Sequence, residues 1–159
     1  MTEATSTFDL AGIIQRIVPN VFDTMLSLAV KPTPSCLVGC GERVSGTIGI
    51  AGDTVSGAVY LHLTEPLARR AAVAMLGLDF AGAADTSAIN DVTSELANMI
   101  GGGLKSALCD AERPCAMSTP AIVRGMAFVI ELPPGLRAET FAFDCHGECL
   151  SVEVHLKLD

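Results

Sequence analysis

The stretch DVTSELANMIGGGLKSAL, Asp91 to Leu108, combines helical hydrophobic spacing with three consecutive glycines. On a wheel of about 100° per residue, Val92, Leu96, Met99, Ile100, Gly103 and Ala107 fall within one arc that can face a core. Asp91, Glu95, Asn98, Gly102 and Lys105 form a separate polar stripe. Each interior glycine costs about 1 kcal/mol relative to alanine, so the run needs a purpose other than helix propensity. Residues three and four apart are neighbours on a helix, which makes Glu95 and Asn98 project together. Gly102 lies one turn beyond Asn98, where a missing side chain lets another molecule's backbone approach. A solvated face, with glycines packed closely on a neighbouring element, is the plainer reading of the same residues.

Phosphate binding by the glycines themselves fails on spacing. A Walker loop needs glycine directly before lysine-serine, whereas Leu104 precedes Lys105-Ser106, and Ser106 replaces the last glycine of the dinucleotide pattern. The glycines also fall inside a helical pattern and not after a strand.

Working outward, a helix is expected from about Asp85 to Leu108. Apolar residues from Phe8 to Val30 recur at three- and four-residue intervals, predicting a first long helix that Pro19 kinks or divides. GTIGIAGDTVSGAVYLHL (Gly46 to Leu63) alternates around Gly52-Asp53 and predicts a hairpin. EPLARRAAVAMLG, with Pro66 near its start and Gly77 at its end, predicts a short helix. Beyond Pro114, strands are expected near Met117–Val123, Met126–Leu132, Thr140–Asp144 and Leu150–Leu158. Gly125, Pro133-Pro134-Gly135 and the turn CHGEC separate them. This order lacks regular strand–helix alternation. It predicts one α+β domain over residues 1–159, with a largely antiparallel sheet and two long helices.

Composition narrows the function. A formal net charge of -8, with Arg69-Arg70 as the only dense basic pair, excludes a phosphate-backbone footprint, so no nucleic-acid partner is expected. The absence of an eighteen-residue apolar run and of signal-peptide features in MTEATSTFDL predicts a cytoplasmic protein without a membrane partner. Cys36 with Cys40, and Cys145 with Cys149 around His146, share a C-x-x-x-C spacing that invites a zinc reading. Reduced cysteines serving as small hydrophobes or loop residues are preferred, and no metal ligands are assigned. His62 and His155 read as ordinary surface or half-buried positions.

The string Asp91-x-x-x-Glu95-x-x-Asn98, with Pro120 after twenty-one intervening residues, resembles the D/S-x3-E-x2-N-x(21-22)-P motif of the CheC/CheX/FliY chemotaxis phosphatases. ELANMIGG and STPAIVRG are similar to CheX-type members, and the order of elements matches over nearly the whole chain. The first helix carries Asn20, but Ile17 stands where a second copy would need glutamate, which favours CheX over two-site CheC members. Gly103 departs from the polar residue often found in relatives.

The resemblance implies a CheC/CheX-like fold and hydrolysis of the phosphoaspartate of a CheY-like response regulator. Glu95 would pair with the regulator's lysine and dock the helix, and Asn98 would hold a water in line with the phosphorus. The Mg²⁺ is then supplied by the regulator, and the chain needs no cofactor of its own. An activated acyl phosphate leaves little to do beyond positioning and charge neutralisation, and an amide orients water without an altered pKa. Asp91, Gly102 and Lys105 are assigned to partner binding, with Asp91 also read as a helix cap or dipole partner. Pro120 shapes the strand beside the helix. The alternative is a non-catalytic module of the same fold that binds a response regulator or a flagellar signalling partner. Dimers of CheX-type relatives imply a homodimer.

Overall fold

The computed structural model describes residues 8–34, 41–126, 128–131 and 134–159. Helix α1 spans Leu10–Leu26, and Asp9 caps it by accepting the Gly12 N–H at 3.0 Å. The helix runs through Pro19 without a division. The Gln15 carbonyl that Pro19 cannot serve belongs to an exposed residue, so water can satisfy it. After the short strand β1 (Lys31–Pro32), the predicted hairpin forms from β2 (Glu42–Ala51) and β3 (Val55–Thr64). Helix α2 (Glu65–Leu76) follows, capped by Thr64 and closed by Gly77 at φ 65°. A turn of 3-10 helix at Ala81–Ala83 leads to α3 (Thr86–Asp110), the glycine-bearing helix. The remaining strands are β4 (Ala116–Met117), β5 (Ala121–Met126), β6 (Arg137–Cys145) and β7 (Glu148–Leu158).

All strand pairings are antiparallel, in the order β1-β6-β7-β3-β2, with β4 and β5 sharing the outer edge of β2. An α+β fold with an antiparallel sheet is what the sequence predicts. Three expected strand limits change. The Met117–Val123 run is broken at Ser118–Pro120, Gly125 lies inside β5, and residues 128–131 form no strand. Proline, which has no N–H to donate, explains the first break. Gly125 stays paired with Arg43, and Phe128 packs over it, 3.1 Å from where a Cβ would stand. The CHGEC turn is a two-residue hairpin loop, with His146 and Gly147 at φ 51° and 85° and Cys145 opposite Glu148.

The helices cover one face of the sheet. Val44, Ile48 and Ile50 of β2, Val59, Leu61 and Leu63 of β3, and Leu150, Val152 and Val154 of β7 alternate onto that face and join the buried residues of all three helices in one core. Helix α3 packs between α1 and α2, and its buried set is wider than a single arc: Ile89, Val92, Thr93, Leu96, Ala97, Ile100, Gly101, Leu104 and Leu108. Met99, Gly103 and Ala107, expected in the core, are half-buried.

Two glycines let α3 sit low on β2. A Cβ on Gly46 would come within 2.7 Å of Ala97 Cβ and 3.1 Å of the Thr93 carbonyl, and one on Gly101 within 3.1 Å of Ile48 Cγ2. Gly103 is matched from the other side by Ile17 of α1, whose Cδ1 is 2.9 Å from the Cβ position. The departure at Gly103 and the isoleucine at position 17 are therefore two halves of one packing contact.

Candidate functional site

Asp85, not Asp91, caps α3: its Oδ1 accepts the Ala88 N–H at 2.8 Å. Asp91 lies beyond the first turn, exposed, so the expected capping role does not hold. The chain instead begins the helix at the earlier of two aspartates, which places the whole Asp91–Asn98 stripe on regular helix.

That stripe forms one wall of a cleft of about 650 Å³ lined by Asp91, Ser94, Glu95 and Asn98 from α3 and by Met117, Ser118, Thr119 and Pro120 from the β4–β5 connection. Asp91 and Glu95 are exposed, and Ser94 and Asn98 are half-buried. Among the described residues, none of these four side chains is engaged in a hydrogen bond or ion pair. The lining holds two carboxylates and no lysine or arginine, giving a negative, hydrogen-bonding surface suited to a partner's cation. Gly102 borders it: among the described residues, and apart from its own stretch of helix, the only atom within reach of a Cβ there is Met117 Cε at 4.0 Å. Lys105 is half-buried and outside the lining, near enough to Cys115 to oppose the rise that burial imposes on that thiol's pKa.

Sequence reading named Asp91, Glu95, Asn98 and Pro120, and the fold brings all four together. It missed Ser94, whose position three residues after Asp91 and four before Asn98 was a readable helical signal. Met117, Ser118 and Thr119 carried no such signal, because only the break in the edge strand turns them toward α3.

The opposite face of the sheet corrects the reading of the histidines. His62 and His155 are buried, 2% and 1% exposed. The Ser45 hydroxyl contacts His62 Nδ1 at 2.6 Å, His62 Nε2 is 3.1 Å from Glu153 Oε1, and His155 Nε2 is 2.5 Å from Glu153 Oε2. Arg43 lies 3.7 Å from the Phe128 ring centroid. Burial lowers the pKa of His62 and of Arg43, with Glu153 opposing both shifts, and raises that of Tyr60. Alternation alone could not separate a solvated face from one closed by Phe128. Cys109, Cys115 and Cys145 are free thiols, whereas Cys149 is disulfide-bonded, contrary to a fully reduced set. The Cys36 and Cys40 pair lies outside the described residues. Among the described residues, no three of histidine, cysteine, aspartate and glutamate gather as a metal site. No helix among them is long and apolar enough to cross a membrane.

A family model described as chemotaxis phosphatase CheX matches residues 44–145, well over half of the chain. The chain belongs to the CheX family. The matched residues include Asp91 to Pro120 and so both walls of the cleft. Among solved structures, CheX from Vibrio vulnificus is 26% identical, with TM-score 0.81, and the match covers 98% of this chain and 100% of that one. A CheC-like protein from a Shewanella species is 25% identical over 94% and 97% of the two chains, with TM-score 0.79. The CheX–CheY–BeF3–Mg²⁺ complex from Borrelia burgdorferi shares the fold at 17% identity, covering 94% and 99%, with TM-score 0.68. No curated protein sequence matches the chain.

Proposed function

We propose that this CheX-family chain hydrolyses the phosphoaspartate of a CheY-like response regulator, with Asn98 positioning the attacking water and Glu95 docking the helix. One observation carries the reading: Glu95 and Asn98 share an unengaged face of α3 inside an open cleft. Glu95, exposed, can pair with a lysine brought by the partner, and that charge-assisted bond strengthens as docking excludes water. Asn98, one turn further and half-buried, offers a carbonyl acceptor and an amide donor with no pKa to tune. Holding a water in line is mainly a matter of orientation. The Mg²⁺ that neutralises phosphoryl charge is supplied by the regulator, a reading supported by the Borrelia burgdorferi complex, which contains CheX, CheY, BeF3 and Mg²⁺ together. Asp91 adds to the negative rim, Gly102 leaves the surface beside Asn98 flat, and Lys105 stands at its far margin. The chain acts as a homodimer of single-domain, cytoplasmic subunits.

The test is single-turnover decay of a Mg²⁺-bound phosphorylated regulator at saturating protein, alongside binding to the regulator carrying a stable phosphate mimic. Asn98→Ala should lower turnover with little loss of affinity, because the missing interaction acts in the transition state. Glu95→Ala should weaken both. Equal acceleration by wild type and Asn98→Ala would remove the water-positioning role, and a wild type that binds without accelerating decay would establish the non-catalytic module.

A further inference from the structure

The edge of the sheet carries one residue too many beside the cleft. Met117 pairs with Ile50 and Ala121 with Thr47, so Ser118, Thr119 and Pro120 stand opposite only Ile48 and Gly49. This is a β-bulge, a device that re-aims side chains at strand edges. The extra residue breaks the ladder, and Pro120 has no N–H with which to restore it. Ser118 restores it instead. Its N–H donates to the Gly49 carbonyl at 2.9 Å, and its Oγ accepts the Gly49 N–H at 2.8 Å. The same hydroxyl donates its proton to the Thr119 carbonyl at 3.0 Å. A side chain thus takes the place of a missing strand carbonyl and fixes the next peptide as well. The far end of the bulge is held where the Thr47 hydroxyl donates to the Ala121 carbonyl at 3.3 Å. Three residues further on, Arg124 Nε donates to Asn90 Oδ1 at 2.9 Å and braces β5 against α3.

We propose that Ser118 is a positioning residue: by completing the ladder at Gly49 it holds Thr119 and Pro120 as a rigid second wall on which the regulator seats when α3 docks, an assignment that rests on the docking reading above. Ser118 acts on the wall and not on the water, so its loss appears in affinity while the step at Asn98 continues. The exposed Thr119 side chain, which makes no bond among the described residues, is the part of the wall presented to the partner.

The experiment uses Ser118→Ala, Ser118→Thr and Thr119→Ala in the full chain, with two readouts. The first is hydrogen exchange at the Gly49 amide of the free protein, and the second is the split between KM and kcat for a phosphorylated regulator. Ser118→Ala should speed Gly49 exchange and raise KM about fivefold to tenfold, the scale of one lost hydrogen bond, while kcat stays within about twofold. Ser118→Thr, which keeps the hydroxyl, should preserve both. Thr119→Ala leaves the bulge bonds in place, so it remains folded, and it should raise KM about threefold. Unchanged Gly49 exchange in Ser118→Ala overturns the pinning role. Faster exchange with unchanged KM, or equal losses in the alanine and threonine variants, overturns the positioning role. A wild type that neither binds nor dephosphorylates any regulator overturns the proposed function and the docking role with it, while the Gly49 measurement still decides the pin.

Discussion

Substituting alanine at each of the three consecutive glycines in turn should give three different stability changes, although helix propensity treats the sites alike. Each substitution gains about 1 kcal/mol from propensity. At Gly102 nothing opposes that gain, since among the described residues outside its own stretch of helix the new methyl would meet only Met117 Cε at 4.0 Å, an ordinary contact. Gly102→Ala should therefore stabilise the chain by about 1 kcal/mol, which for a chain of this size raises Tm by about 2–4 °C. At Gly101 the methyl would stand 3.1, 3.3 and 3.4 Å from Cγ2, Cγ1 and Cβ of Ile48. Ile48 is fully buried on β2 and β-branched, so it cannot swing aside. Overpacking of this kind costs about 1–3 kcal/mol, leaving Gly101→Ala destabilised by about 1 kcal/mol net. At Gly103 the methyl would stand 2.9, 3.1 and 3.2 Å from Cδ1, Cγ2 and Cγ1 of Ile17, but Ile17 is half-buried and has solvent to yield into where Ile48 has none, so the net change should fall between the other two. The assay is urea unfolding of the three variants followed by far-UV circular dichroism. Equal shifts at all three sites, or a destabilising Gly102→Ala, would refute the assignment of each glycine to a different neighbour.

Four further outcomes are expected. Gly102→Leu should weaken regulator-dependent dephosphorylation more than it lowers Tm, and an unchanged kcat/KM would show that the flat surface beside Asn98 is not used. Asp85→Ala should cost about 1 kcal/mol through loss of the cap on α3, whereas Asp91→Ala should leave Tm within about 2 °C, as paired thermal melts would reveal. His62 is buried against Ser45, Tyr60, Glu153 and Phe128, with Arg43 and His155 nearby, and burial holds its pKa below the usual 6.5. The unfolded chain then binds more protons, so this contribution to stability is complete above about pH 6.5 and is lost as pH falls from there toward the folded pKa. His62→Gln should flatten that slope in urea titrations between pH 5 and 7, and an unchanged slope would mean that other groups dominate acid unfolding. Light scattering at micromolar concentration should report a homodimer, and a mass near 16.5 kDa would count against it.

Much of the architecture could be read from local pattern, because the elements that were legible are the ones with local causes. Pro66, Gly77 and the Gly52-Asp53 turn act within a few residues of themselves, and their helix and hairpin form where expected. The Asp91, Glu95 and Asn98 stripe was legible because helical spacing alone decides which side chains project together. The unread parts depend on long-range partners. Ser118 is placed by its bonds to Gly49, sixty-nine residues away in sequence. The burial of His62 depends on Glu153, ninety-one residues away, and on Phe128. The division of labour among the glycines was hidden for the same reason, since Ile48 and Ile17 come from two other elements.

The glycine run is also a register mark. A helix turns by about 100° per residue, so deleting any one of the three glycines rotates everything beyond it by that amount relative to Asp91–Asn98. Leu104 and Leu108, both fully buried, would leave the core, and Lys105 would be carried toward it. A flexible loop would absorb such a change of length unnoticed. Here the tract is the coupling between two halves of one rigid rod, so its length is fixed by the packing of Leu104 and Leu108 beyond it as firmly as by the stripe before it.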